Sequence, residues 1–320
     1  MKTFVIECLL VAFPKMVSGA GTTLVQLILL RYLGPEHYGM YALCVTGIVL
    51  ADGVLGSALD LGIVRLVPQY RTTQPDRALA LEQTALLVKC VLAAGVCLLL
   101  LLGAEPVSQR LFQHAGTAHL LYLSGGAVFA LLLLRSGLVH LQVESKFAWY
   151  GGLDLVHNLL RFGGIALLLG TAQVTPGAVL ACFVLAPVGA LLLCLGAFER
   201  RMWTRRSRSP GVVKELLSVV HWSLLTFSVG TVLSRLDVFV LTMQSSMTQV
   251  GLFSGGSTVA LIPELLGTYL GVVLGPRIIP YCQAGRFFPF FRRFQLASFV
   301  LCAVFYLLAW VSIELGCRKF

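Results

Sequence analysis

Charged side chains lie inside the long apolar stretches of this sequence, and their types and spacing could do chemistry. The bases are Lys15, Lys89, Arg135, Arg161 and Arg235, and the acids are Asp52, Asp60, Asp154, Asp237 and Glu264. A charge at the centre of a membrane helix costs about 2.5–3.5 kcal/mol on insertion scales, so such residues tend to face a water-filled cavity or a partner of opposite charge. The sequence therefore predicts a polar path, or buried ion pairs, within an apolar body.

Several of these charges fall on polar stripes. Asp154, His157 and Arg161 recur at i, i+3 and i+7, which places them on one face of a helix. Lys15 and Arg235 each share a helical face with serine and threonine side chains. A stripe of this kind on a membrane helix is expected to line an aqueous cavity.

The elements that carry these residues must be membrane helices. The mean hydropathy is +0.88, hydrophobic residues make up 58% and charged residues 12%, whereas soluble domains carry roughly 25% charged residues. Spanning a bilayer takes about 20 apolar residues as a helix, and a helix satisfies its own backbone hydrogen bonds. We predict an all-α integral membrane protein, a polytopic bundle of about nine transmembrane helices near 8–33, 38–63, 82–103, 117–141, 150–170, 174–198, 216–242, 250–276 and 294–316.

The basic residues indicate an orientation. With the N-terminus inside, the inner connections carry fifteen Lys and Arg residues and the outer ones four. This bias predicts a multi-pass protein with a cytoplasmic N-terminus. The net charge of +10 then reflects topology and attraction to anionic membrane lipids. It does not indicate nucleic acid as a partner, because no connection is long enough to form a folded basic domain.

The nine cysteines contain no Cys-x-x-Cys pair and lie in, at the ends of, or just beyond the predicted spans. They are expected to behave as small apolar side chains. The sequence predicts no metal site and no cofactor.

The second predicted span has an internal counterpart. With a shift of 212 residues, Tyr38–Tyr70 aligns with Val250–Cys282, and Gly39 then matches Gly251. The acid Asp52 falls on Glu264 in the same alignment. Both copies are predicted to run in the same direction, which is typical of transporters built from two bundles related by an axis along the membrane normal. We predict an N-terminal six-helix bundle over 1–199, a basic cytoplasmic linker over 200–215 and a partial C-terminal bundle over 216–320.

Two stretches resemble a known family. The segment LLRYLGPEHYGMYAL, from Leu29 to Leu43, is similar to the turn between the first two spans of polysaccharide (O-antigen, Wzx-type) flippases, and Ser234–Asp237 continuing to Val250–Ser254 is similar to their seventh and eighth spans. These flippases belong to the superfamily of multidrug, oligosaccharidyl-lipid and polysaccharide exporters. The resemblance implies a MATE-like fold of two six-helix bundles. Since only about nine spans are predicted here, the chain is expected to be a C-terminally truncated member.

The resemblance also implies a substrate and a mechanism. Such flippases move an oligosaccharide repeat unit, linked to undecaprenyl pyrophosphate, across the cytoplasmic (inner) membrane for surface polysaccharide and lipopolysaccharide synthesis. The diphosphate needs cations, and arginine offers it bidentate hydrogen bonds. The expected head-group ligands are Lys15, Arg135, Arg161 and Arg235, in a cavity that opens alternately to each side. Expected partners are the lipid-linked oligosaccharide, membrane lipids and other polysaccharide-assembly proteins.

The other polar residues have two readings each. Coupling to an ion or bracing of the fold are both open for Asp52, Asp154, His157, Asp237 and Glu264. Asp154 could instead neutralise Arg161, and Asp237 could pair with Arg235. Lys15 and Lys89 could extend towards lipid head groups along their own aliphatic chains.

Three alternative functions remain open. A multidrug or cation antiporter of the same superfamily would favour acids in its cavity, but the sequence has equal numbers of in-span acids and bases. An enzyme such as a polysaccharide polymerase or membrane glycosyltransferase would need a catalytic loop. The longest outer connection, 104–116, offers only Glu105, Arg110 and His114, so we predict that the protein is not an enzyme. A non-functional truncated membrane protein is the third alternative.

Overall fold

The structure is a computed structural model. It describes residues 2–71, 73–112, 116–194, 196 and 211–258, with isolated positions between 288 and 303, and it describes side chains from Val17 onward. The regular elements of this described part are α-helices. The helices are α1 (Lys2–Leu55), α2 (Ser57–Tyr70), α3 (Pro75–Phe112), α4 (Ala118–Val143), α5 (Phe147–Gly170), α6 (Pro176–Leu193), α7 (Val212–Leu233) and α8 (Leu236–Gln244), followed by a helical segment at 247–258.

Gly34 interrupts α1 at the position of the predicted turn. Its φ of 74° and ψ of 163° are not helical, so α1 is in effect two helices joined at this residue. That region of backbone space is essentially open to glycine alone. At the other end of the second span, α1 continues into α2 with only Gly56 between them, and Gly56 has helical angles. The second predicted span therefore extends to Tyr70.

Six helical stretches within the described residues are long and apolar enough to cross a membrane. The first, Val17–Tyr70, covers most of the first predicted span, from residue 17 onward, and all of the second, and the next five correspond to predicted spans three to seven. The predicted all-α membrane class is confirmed. Most of the eighth predicted span and nearly all of the ninth lie outside the described residues.

The chain divides into two compact units, one of 24–256 and one of 1–23 with 257–320. In the larger unit, α4 packs between α3 and α6, and α2 packs against α3 and α7. The first set of contacts encloses fully buried side chains such as Leu120 and Leu180, and the second encloses Leu81 and Leu216. In the smaller unit, the Thr22 hydroxyl donates to the Ser18 carbonyl at 2.7 Å.

Many large apolar side chains lie on the outside of the larger unit. On α3, Leu99 and Leu102 are 71% and 77% exposed, and on α7 Trp222 is 69% exposed. In water such surfaces would be unfavourable at about 25 cal/mol per Å² of apolar area. They suit a lipid environment, which leaves the charged groups of the helices to pair inside.

Candidate functional site

Charged and polar side chains from four helices meet at one place, which we call the polar network: Asp52, Asp60, Lys89, Arg135 and Ser136. Arg135 Nε lies 3.2 Å from Asp52 Oδ2, and Arg135 Nη1 lies 3.8 Å from Asp60 Oδ2. Lys89 Nζ forms an ion pair with Asp60 and donates to Ser136 Oγ at 3.2 Å. The two acids and two bases bring the formal charge of the network to zero.

Helix geometry explains how these groups converge. Arg135 and Ser136 are neighbours on α4, so one helix offers both a cation and a hydroxyl to the same region. Ser136 also donates to the Leu132 carbonyl one turn earlier, at 2.9 Å, which fixes its oxygen as an acceptor for Lys89. Asp60 lies in the first turn of α2 and reaches both cations from there.

Lys89 is enclosed within the bundle. Its side chain is 3% exposed, so it does not extend to the membrane surface, and the alternative that it reaches head groups is wrong. A charged amine buried to this degree needs a paired carboxylate, and Asp60 provides one. The pair therefore braces α2 against α3.

Arg135 has a different environment from Lys89. Its side chain is 40% exposed, and Nη1 also donates to Ser57 Oγ at 3.0 Å. Asp52 Oδ2 faces the guanidinium, while the buried Asp52 Oδ1 has no hydrogen-bond partner among the described residues. Arg135 is thus the accessible cation of the network, with much of its charge offset by two carboxylates.

A second buried pair continues the network along α3 and α4. His140 Nδ1 lies 2.6 Å from Glu82 Oε2, and the two side chains are 5% and 8% exposed. Both line a cavity of about 20 Å³ together with Lys89 and Ser136. That volume is close to the space that one water molecule needs. Polar groups therefore extend from Glu82 to Asp52 across the interior of the larger unit.

Arg161 lies in a separate group on α5 and α6. Its guanidinium carbon is 5.1 Å from the ring centres of both Phe162 and Phe183, and Nη2 donates to Asn158 Oδ1 at 3.0 Å. Cations above aromatic faces gain about 0.5–2 kcal/mol, more when water is excluded. The Phe183 ring in turn contacts Tyr41 of α1, with centroids 6.1 Å apart. The group places a cation in an aromatic setting near α1.

The predicted stripe on α5 is present in part. His157 is buried at 7% exposure and Asp154 is half-buried, one and two turns before Arg161. The Asp154 carbonyl accepts from Asn158 Nδ2 at 2.8 Å, and Asp154 is close enough to Arg161 to interact with it electrostatically. The reading in which Asp154 partly offsets Arg161 fits this geometry.

The remaining predicted residues lie elsewhere. Arg235 is half-buried at the residue before α8, and Asp237 Oδ1 accepts from the Val238 backbone N–H at 2.8 Å. The side chain of Lys15 and all of Glu264 lie outside the described residues. Three of the four expected head-group ligands can therefore be compared: Arg135 lies in the polar network, Arg161 in the aromatic group and Arg235 at the start of α8.

Sequence reasoning missed part of the network. Glu82 and His140 were not assigned to the site because each lies at the edge of an apolar stretch, where charge is unremarkable. Ser57 and Ser136 are single polar residues whose cationic partners, Arg135 and Lys89, are distant in the chain. The available signal was that acids and bases are equal in number within the predicted spans; which of them pair depends on helix packing.

The described helices and the paired charges inside them define a class of polytopic helical membrane protein. The structure is similar to the inward-facing conformation of a multidrug resistance MATE family transporter of the MOP superfamily, with a TM-score of 0.59 and 12% identity over 85% of this chain and 67% of that one. It is also similar to a MOP superfamily transporter from Pyrococcus furiosus, described as having a binding pocket of reverse polarity, with a TM-score of 0.55 and 15% identity over 89% of this chain and 72% of that one. The outward-facing conformation of a multidrug resistance MATE family transporter matches with a TM-score of 0.55 and 16% identity, over 87% and 70% of the two chains.

The family follows from the sequence match. The pattern of the polysaccharide biosynthesis protein family covers residues 14–281, so the chain belongs to that family. No curated protein matches it. The predicted family and the predicted MATE-like fold are both confirmed.

Proposed function

We propose that the protein moves a lipid-linked oligosaccharide, built on undecaprenyl pyrophosphate, across the cytoplasmic membrane by alternating access. The family is one of polysaccharide biosynthesis, and the fold is that of MOP superfamily transporters. A polysaccharide precursor made on one side of a membrane needs such a step before it can be assembled on the other. Membrane lipids and polysaccharide-assembly proteins are the partners that this activity requires.

The observation that supports the proposal most directly is the position of the Arg161 guanidinium on α5, next to aromatic rings of α5 and α6. Arg161 lies over Phe162 and Phe183, within an apolar body that suits lipid. A diphosphate crossing hydrocarbon has to exchange its water for fixed donors, and a guanidinium supplies two in parallel. Arg135 with its 40% exposed side chain, Lys15 and Arg235 are proposed as further contacts.

The acids and one histidine have a supporting part in this proposal. Asp52, Asp154, His157, Asp237 and Glu264 are proposed to brace the cations or to couple transport to an ion. The proposed topology places the N-terminus in the cytoplasm and joins two bundles, 1–199 and 216–320, through the basic segment 200–215.

The proposal is tested with the full chain in proteoliposomes that contain a fluorescent lipid-linked oligosaccharide. Exposure of the sugar on each leaflet is measured with a membrane-impermeant quencher. Arg161→Ala is expected to slow the movement at least tenfold, while Arg161→Lys retains part of it because the charge remains. Arg65→Ala is the matched control, since Arg65 is an exposed arginine on α2. Equal rates for Arg161→Ala and the unaltered protein, at equal insertion, would contradict the assignment.

A second candidate is export of cationic drugs, because two of the similar structures are multidrug resistance transporters. Cells that express the protein would then accumulate less of a cationic dye, and Asp52→Asn would abolish the effect. Dye efflux without oligosaccharide movement would favour this candidate.

A further inference from the structure

The end of the α2–α3 hairpin that carries Tyr70 and Arg77 is linked to α7 by the carboxylate of Glu215. Tyr70 OH donates to Glu215 Oε1 at 2.5 Å, and Arg77 donates to Glu215 Oε2 from Nη2 at 2.6 Å and from Nε at 3.2 Å. The Arg77 guanidinium also lies 4.9 Å from the centre of the Tyr70 ring. Both oxygens of Glu215 are therefore occupied. We call this set of three residues the clasp.

Close helix packing continues away from the clasp. A Cβ on Gly62 would lie 2.6 Å from Val220 Cγ2, and a Cβ on Gly53 would lie 2.7 Å from the Thr231 side chain. Along the second span, Gly53, Gly62 and Tyr70 follow in that order, and their partners Thr231, Val220 and Glu215 occur in the reverse order along α7. The α7 helix therefore packs antiparallel to the second span. Small residues on that span allow this approach.

A second close contact lies at the other end of the same span. A Cβ built on Gly39 would be 2.1 Å from the Met247 carbonyl oxygen, and one built on Gly251 would be 1.8 Å from the Pro35 carbonyl oxygen. Each of the two Cβ positions is also 3.0 Å from the backbone nitrogen of the other glycine. We call this contact the glycine crossing.

The two glycines of the crossing are equivalent positions of the internal repeat. Gly39 and Gly251 are related by the shift of 212 residues that aligns Tyr38–Tyr70 with Val250–Cys282. Each copy of the repeat thus contributes the same residue to the contact, and the reciprocal 3.0 Å distances reflect that equivalence. The crossing lies where a local two-fold axis between the copies would pass.

We propose that the clasp and the glycine crossing are the two gates of the transporter, one on each side of the membrane. Gly39 and Tyr70 are 31 residues apart, which is about 46 Å along a helix and exceeds the roughly 30 Å of a bilayer's hydrocarbon core. The inference rests on the proposed alternating access, and in the proposed topology the clasp faces the cytoplasm. Both gates are closed in this structure.

The two gates differ in how they open. The clasp consists of charged and polar groups near a helix end, and these can exchange their partners for water at small cost. The glycine crossing holds backbone against backbone and opens only if the helices separate. Weakening each gate should therefore open its own end and leave the other end closed.

Spin-label distances in the full chain, reconstituted in lipid nanodiscs, measure each end separately. The native cysteines are first replaced by alanine or serine. One label pair occupies Gln69 and Val213 at the clasp end, and the other occupies His37 and Gln249 at the crossing end; all four positions are exposed.

For the clasp, Glu215→Gln is expected to raise the ratio of long to short distances between Gln69 and Val213 about two- to fivefold. Arg77→Gln should act in the same direction, and Lys214→Gln, an exposed neighbour, should have no effect. The distances between His37 and Gln249 should not change in any of these variants.

For the crossing, Gly39→Ala and Gly251→Ala are each expected to raise the ratio of long to short distances between His37 and Gln249 by at least about fivefold, since overpacking is costly. Gly47→Ala and Gly256→Ala are matched controls, because a Cβ at either position meets nothing within 4 Å. Variants that shift both ends alike, or neither end, would overturn the proposal.

The measurement needs no substrate, so it separates the gates from the proposed function. End-specific shifts without oligosaccharide movement would support the gates and refute the proposed substrate. Oligosaccharide movement with unchanged distances in every variant would refute the gates alone.

Discussion

The ion pair between Asp60 and Lys89 allows a quantitative test of how the interior tolerates charge. Lys89 is 3% exposed, and Asp60 is 16% exposed. Asp60→Asn leaves the buried ammonium with the Ser136 hydroxyl and a neutral amide. Removing one partner of a buried ion pair costs about 3–5 kcal/mol, because the remaining charge is uncompensated. Asp60→Asn should therefore lower the free energy of unfolding by about that amount.

Substitution of the other partner, Lys89, should lower the free energy of unfolding by less. Lys89→Met leaves Asp60 with a second cation, Arg135, at 3.8 Å, and methionine fills a volume similar to that of the lysine chain. We expect a loss of about 1–2 kcal/mol for this substitution. The double variant removes both charges and should be no less stable than Asp60→Asn alone, which corresponds to a coupling of at least about 1–2 kcal/mol, the cost of Lys89→Met by itself.

The assay is reversible unfolding in mixed micelles by titration with sodium dodecyl sulfate, followed by circular dichroism. Glu105→Gln is the control, because Glu105 is exposed on α3 and its neutralisation should change stability by less than about 0.5 kcal/mol. If the two single effects simply add in the double variant, the pair is not coupled and the reasoning about the buried ammonium is refuted.

Three further predictions use the same titration. Glu82→Ala removes the acceptor of a buried imidazole at 2.6 Å and should cost about 1–3 kcal/mol, while Glu82→Gln should cost less; equal losses would show that hydrogen bonding to His140 is not the cause. Gly62→Ala forces a methyl group to 2.6 Å from an α7 side chain and should cost about 1–3 kcal/mol, whereas Gly163→Ala, which meets nothing within 4 Å, should be neutral or stabilising. Thr175→Ala removes the side-chain cap of α6 and should cost about 1 kcal/mol; unchanged stability would show that the cap is dispensable.

The helices could be predicted because apolar length is a local property. The predicted spans 117–141 and 150–170 agree closely with Ala118–Val143 and Phe147–Gly170. The prediction 82–103 was too short, since α3 spans Pro75–Phe112. Its ends carry Asp76, Arg77 and Arg110, which apolar patterning does not count although the helix continues through them.

The partners of the charges could not be predicted because pairing is a property of helix packing. Arg135 was identified as a cation for an anionic substrate, and its contacts with Asp52 and Asp60 join residues more than 70 positions apart. Spacing along one helix shows which residues share a face, as for His157 and Arg161. It does not show which helix that face meets.

The backbone at Gly34 has a consequence that concerns handedness. A Cβ there would meet nothing within 4 Å, so the surroundings leave room for a methyl group. Whether a methyl group is tolerated therefore depends only on the chirality of the residue. At a φ of 74° and ψ of 163°, an L-alanine is disfavoured, whereas its enantiomer has angles close to its own extended region. A semisynthetic protein with D-alanine at this position should keep the bend between the first two spans, and the L-isomer should not.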